Sequence, residues 1–186
     1  VGVGGYGVDQ AFLRLRMEGF RYAPDLVIAY APYYGNHRHM HTRRFGKNKP
    51  RFVLVQGELM LQGVPVQPPM IFQSSCVVRF FEAVRERAGD ARDQADATFL
   101  RERDELGEAL ITAMDEASRR HGAKFLLVTR MSQLHEGMIT RGARSLNVRS
   151  VLKARACRFP RDGHLNEHGN RVLASAVAGF LQQERV

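Results

Sequence analysis

Apolar residues follow two patterns along this chain. Leu26 to Ala31 is an unbroken apolar run, and Lys124-Phe-Leu-Leu-Val-Thr129 nearly so, as in strands buried on both faces of a parallel sheet. Elsewhere the apolar positions recur at helical spacing: Phe12 and Leu15 ahead of Gly19, then Val77, Phe80, Phe81 and Val84, then Leu106, Leu110, Met114 and Ala117, and last Leu173, Val177, Phe180 and Leu181. Each set predicts an amphipathic helix. Asp9 is the expected cap of the first, and the longest runs from Phe99 to His121 with Gly122 as its C-cap. Arg51 to Val66 predicts a β-hairpin, with Phe52-Val-Leu-Val and Leu59-Met-Leu on either side of Gly57. Met131 to Ala156 mixes polar, basic and short apolar pieces and predicts a loop with a weak helix. Alternating helices and strands imply an α/β fold, a three-layer α/β/α sandwich with a mainly parallel sheet plus a small β-hairpin insertion. No linker or repeat divides residues 1–186, so a single domain is expected.

The 186 residues are 44% hydrophobic, enough for a core, and carry a formal net charge of +9. Lys and Arg are scattered, with no run of five or six, and neither zinc-finger spacing nor an aromatic-basic motif occurs, which argues against a nucleic-acid partner. The strongest basic cluster is His37 to Arg51. Cys76 and Cys157 are far apart, and Cys76 sits in a helical pattern, so buried thiols are expected rather than a disulfide framework. No stretch is apolar and long enough to span a membrane. The chain begins with Val inside a Gly-rich motif, and the expectation is that an upstream portion precedes it, which leaves the compartment open.

Several segments carry candidate chemistry. Gly2, Gly4 and Gly7 match the G-x-G-x-x-G spacing, but the only nearby acid, Asp25, begins a strand and would lie at the wrong edge of the sheet for a ribose, so no dinucleotide cofactor is expected. What remains is a Gly loop able to present backbone N–H groups to an anion. His37, His39 and His41 would share one face of a strand, as zinc ligands do, yet their Arg neighbours repel a cation, so no metal is expected. Asp162-Gly-His164 places an acid and an imidazole on a turn directly before the closing helix, and a His base needs a partner that fixes its tautomer. Asp, Asn and Gly are also ordinary turn and cap residues.

Three pieces occur in a fixed order: Gly-Val-Gly-Gly-Tyr-Gly at residues 2–7, Pro24-Asp-Leu-Val-Ile followed by Gly35-Asn36, and Asp162-Gly-His164-Leu-Asn with a helix after it. Together they resemble the SGNH (GDSL-type) hydrolase superfamily from its second conserved block onward. The resemblance implies a flavodoxin-like fold and a serine esterase or acyl hydrolase, with Gly5 and Asn36 as oxyanion-hole donors, His164 as catalytic base and Asp162 as its partner. It implies a small-molecule or carbohydrate ester substrate, O-acetyl groups of carbohydrate among them, and no cofactor. A polysaccharide O-acyltransferase or a non-catalytic glycan-binding module on the same fold are the alternatives.

The chain departs from the family pattern in three places. Asp162 precedes His164 by two residues where three is commoner, which leaves open whether Asp162 or a backbone carbonyl orients the imidazole. His37 follows Asn36 where an acid is frequent. No Gly-Asp-Ser motif is present, and Ser74, Ser75, Ser118, Ser132, Ser145, Ser150 and Ser175 all lie downstream, so the first strand and the nucleophile are expected ahead of residue 1. The basic stretch and the hairpin are expected to form one wall of the pocket and to favour an anionic substrate.

Overall fold

The computed structural model describes residues 6–32, 38–44, 47–66, 75–78, 80–81, 84, 96–161 and 163–184. They form an α/β structure with a three-stranded parallel sheet flanked by helices and a small antiparallel hairpin. The chain divides into two compact units, Val1–Tyr22 with Tyr34–Met114 and Ala23–Tyr33 with Asp115–Val186.

In the first unit, α1 (Val8–Met17) starts at Gly7, whose backbone is extended. Asp9, the cap expected from sequence, instead lies inside the first turn and is buried. A Cβ on Gly7 would come within 2.5 Å of the Asp9 carboxylate and 3.0 Å of the His39 amide, so only glycine allows these segments to approach so closely. Short strands β2 (Arg43–Arg44) and β3 (Lys47–Asn48) pair antiparallel, and so do β4 (Arg51–Val55) and β5 (Glu58–Gln62), around a Gln56-Gly57 turn. The second pair is the hairpin expected from residues 51–66. Phe52 of β4 is buried against Phe12 of α1, ring centroids 5.4 Å apart. Residues 76–78, 80, 81 and 84 are helical, and Val77, Phe80, Phe81 and Val84 are all exposed. Cys76 is exposed as well, contrary to the buried thiol expected, while Cys157 is buried.

α2 (Ala97–Arg120) contains the boundary between the units and ends where Gly122 takes a φ of 76°. In the second unit, β1 (Leu26–Ala31), β6 (Lys124–Thr129) and β7 (Arg144–Asn147) form the parallel sheet in the order β1-β6-β7. Between β6 and β7 lies α3 (Ser132–Thr140), and α4 (Glu167–Gln183) closes the described chain. The helix α3 and the strand β7 occupy the segment expected to be mainly loop. β7 has one large apolar residue, Leu146, and becomes a strand by pairing with β6 rather than through its own pattern.

Alternate residues of β6 face opposite ways, and helices cover both faces. Leu126 and Val128 cluster with Val148 and Leu152, and α4 lays Leu173, Val177, Phe180 and Leu181 on them. Leu127 is paired with Ser145, whose hydroxyl meets His135 of α3 on the other face. Phe125, Leu126, Leu127 and Val128 are at most 1% exposed, and burying side chains of this size stabilises by roughly 1.5–3 kcal/mol each. β6 is therefore the hydrophobic anchor of this unit.

One glycine ties α4 to the turn before it. A Cβ on Gly169 would stand 2.1 Å from the Cys157 carbonyl oxygen, a backbone atom that cannot swing aside. Gly169→Ala is expected to lower the unfolding free energy by roughly 1–3 kcal/mol. Urea denaturation would check this, and an unchanged midpoint would show that the turn yields freely.

Candidate functional site

Of the four residues assigned from the sequence, the described structure includes His164; Gly5, Asn36 and Asp162 lie outside it, as does His37. Gly5 and Asn36 fall in the first unit by chain position, and Asp162 and His164 in the second.

His164 stands exposed on a turn that is fixed on both sides. Gly163 has a φ of 72°, a conformation that side-chain-bearing residues rarely adopt, and this lets the chain reverse. The reversal is held by Phe159 N–H donating to the His164 carbonyl at 2.9 Å, by a bridge between Arg158 and Leu165, and by the Arg158 guanidinium donating to the Gly163 carbonyl. Asn166 then caps α4: its side-chain oxygen accepts from Gly169 N–H at 2.9 Å, while its amide donates to the Ala156 carbonyl at 2.7 Å. Leu165 packs into the Leu126, Val128, Val148 and Leu152 cluster, which ties the turn to the sheet. Gly163-His164-Leu165-Asn166 is thus both a structural turn and a hydrogen-bonded mount for an exposed imidazole.

The carboxyl ends of β6 and β7 carry polar side chains that build turns. Thr129 Oγ1 donates to the Ala31 carbonyl at 2.7 Å and accepts from Met131 N–H at 3.1 Å. Asn147 Oδ1 accepts from Arg149 N–H at 2.9 Å. A Ser–His pair also occurs, with His135 Nδ1 2.9 Å from Ser145 Oγ. Ser145 lies within β7 and is 3% exposed, so its hydroxyl is closed to a substrate carbonyl and the contact fastens α3 to the sheet.

The first unit holds a buried polar cluster that sequence reasoning missed. Lys49 Nζ donates to Asp9 Oδ2, and the side chains are 5% and 1% exposed. Lys49 N–H donates to the Thr42 carbonyl at 2.8 Å, and Arg51 donates to the Met40 carbonyl at 3.2 Å, which fixes the basic stretch around the pair. Burial is the main cause that pulls the Lys49 pKa below its ordinary value; Asp9 opposes this and Arg51 adds to it. His39 is 1% exposed, in a turn rather than a strand, and its Nε2 lies 2.9 Å from the Arg103 carbonyl. A carbonyl only accepts, so Nε2 carries the proton. Burial chiefly holds the His39 pKa below 6.5, against the raising effects of the Arg103 carbonyl and Asp9. His39 is therefore a packed, neutral side chain, and among the described residues no His, Cys, Asp and Glu group is arranged to hold a metal.

A cavity of about 240 Å³ in the same unit is lined by Thr42, Lys49 and Arg51 of the basic stretch and by Gln62, Gly63 and Pro65 at the end of the hairpin. These two segments therefore share one wall, where the Lys49 ammonium turns to Asp9 and the Arg51 guanidinium donates to the Met40 carbonyl. No helix among the described residues is long and apolar enough to cross a membrane. Compared with protein-family models, curated proteins and solved structures, the chain matches none.

Two outcomes test this account of the cluster. Lys49→Met leaves the Asp9 carboxylate buried without its cation and should destabilise by about 3–5 kcal/mol, whereas Lys49→Met combined with Asp9→Leu should recover much of that loss in thermal unfolding. As pH falls below 6.5, unfolded chains take up a proton at His39 that the folded form resists, so stability falls with acid by up to about 1.4 kcal/mol per pH unit in that window. His39→Gln should flatten the stability difference between pH 7.5 and 5.5, and an unaltered slope would assign the acid sensitivity to another group.

Proposed function

We propose that this chain belongs to a serine esterase or acyl hydrolase of the SGNH type, acting on ester-linked acyl groups, O-acetyl groups of carbohydrate among them. His164 is the general base, Asp162 its orienting partner, and the Gly5 N–H and Asn36 amide are the oxyanion donors. The reading also requires a nucleophilic serine, which the family pattern places ahead of the block that contains Gly5. The observation that supports the reading best is the mounting of His164: an exposed imidazole on a turn pinned through Phe159, Arg158 and Asn166, beside a parallel sheet.

Such a base removes the proton from the serine hydroxyl as it attacks the ester carbonyl, then returns it to the leaving alcohol. The tetrahedral oxyanion is stabilised by donors fixed about 2.7–3.1 Å from it, in general the largest electrostatic contribution to such a reaction. A glycine lets the backbone approach closely, and an asparagine amide donates without competing for the proton.

The full-length protein should hydrolyse p-nitrophenyl acetate, and His164→Ala should lower kcat/KM by a factor of about 100 or more with unfolding unchanged. Equal activity of the two proteins, or an inert full-length protein, would remove the hydrolase assignment.

A further inference from the structure

We propose that the amino-terminal edge of the parallel sheet in the second unit binds a dianionic tetrahedral group, a phosphate or a sulfate. A cavity of about 230 Å³ opens there between the last turn of α2, the Gly122 turn into β6 and the Gly142 turn into β7. The cations at its walls are Arg119, Lys124 and Arg144, and the one carboxylate is Asp115.

The ends of two helices are the competing explanation for positive charge at this edge. α2 and α3 both point carbonyl groups toward it, and basic residues in a last helical turn offset that partial negative charge. Arg119 and Arg120 fill this role on α2, and Arg141 fills it on α3 by donating to the Gly137 carbonyl at 3.2 Å. Arg119 is also paired with Asp115, a carboxylate itself 6% exposed. Lys124 and Arg144 belong to strands, not helix ends, and among the described residues neither meets a carboxylate. Three cations against one carboxylate leave two positive charges around one concavity.

The floor of the cavity sets how an anion would be held. The N–H groups of Gly122, Ala123, Gly142 and Ala143 all donate to backbone carbonyls at 2.8–3.0 Å, so they are committed to the turns. Recognition therefore rests on the guanidinium and ammonium groups, with Arg119 keeping most of its N–H donors clear of Asp115. Both glycines have φ above 70° and would meet nothing within 4 Å of an added Cβ, so the mouth stays open. The space accepts a tetrahedral oxyanion and a small attached group.

The test is titration of the full-length protein with inorganic phosphate at constant ionic strength, followed by amide NMR. Saturation on the order of millimolar is expected, with shifts at Gly122–Phe125 and Gly142–Arg144, and Lys124→Gln with Arg144→Gln should weaken binding about tenfold or more without changing the ligand-free melt. A sugar phosphate binding more tightly than phosphate would identify a small phosphorylated ligand; a sulfated polysaccharide that phosphate displaces would identify a polymer. No saturation, shifts confined elsewhere, or undiminished binding by the folded double variant would overturn the site. None of these readouts depends on esterase activity.

Discussion

β6 is the constraint on which the second unit depends. It is the central strand of the described sheet, with backbone pairing to β1 on one side and β7 on the other, and apolar packing above and below. A strand so placed has no edge left for water, so each polar backbone group must find its partner in the neighbouring strands. That requirement sets the register of β1 and β7, and the register in turn decides which face each residue presents. Leu126 and Val128 then face α4, and the pairing of Leu127 with Ser145 places the His135 contact on the opposite face.

The first unit is arranged around charge. Asp9 and Lys49 are forty residues apart, and neither is stable as an isolated buried ion, so the pair fixes α1 against the basic stretch more stringently than apolar contacts would. Gly7 and His39 complete the arrangement: one supplies the missing Cβ that allows close approach, and the other stays neutral because the interior disfavours its charged form. Apolar packing of Phe12 on Phe52 supports the same junction of α1 with β4.

The strand Lys124–Thr129 was legible because its residues carry the pattern of its burial, and Leu26–Ala31 is a strand as expected, but it lies at the edge of the described sheet with Ile28 and Tyr30 exposed and is not buried on both faces. β7 was not legible, since Arg144, Ser145 and Asn147 are polar and the strand exists through pairing with β6. The same limit hid the Asp9–Lys49 pair: Asp9 is where a helix cap belongs, and nothing local signals a partner forty residues later. The alternating His37, His39 and His41 suggested one strand face, whereas residues 38–40 form a turn that buries His39. For the proposed catalytic residues, the sequence placed His164 on a turn before a helix, and the hydrogen bonds around Phe159, Arg158 and Asn166 explain why that turn is rigid. Spacing alone could not supply this, because the turn is closed by Cys157 and Ala156 carbonyls, groups that any residue carries.

The two ends of the parallel sheet use their polar groups differently. At the carboxyl end, Thr129 and Asn147 hold the chain as it leaves the strands, so their side chains are taken up by structure. Ligands of open parallel sheets bind beyond that end, and with Thr129 and Asn147 engaged in turns, polar groups for such a ligand come from the connecting loops. At the amino end the backbone groups close the glycine turns, and Lys124 and Arg144 are left with charge that no described carboxylate meets. The same unit thus carries an exposed imidazole on a turn packed against the sheet and unneutralised cations at the sheet's amino edge. These suit different tasks, because a base requires exposure and orientation, whereas an anion requires only concentrated positive charge with room beside it.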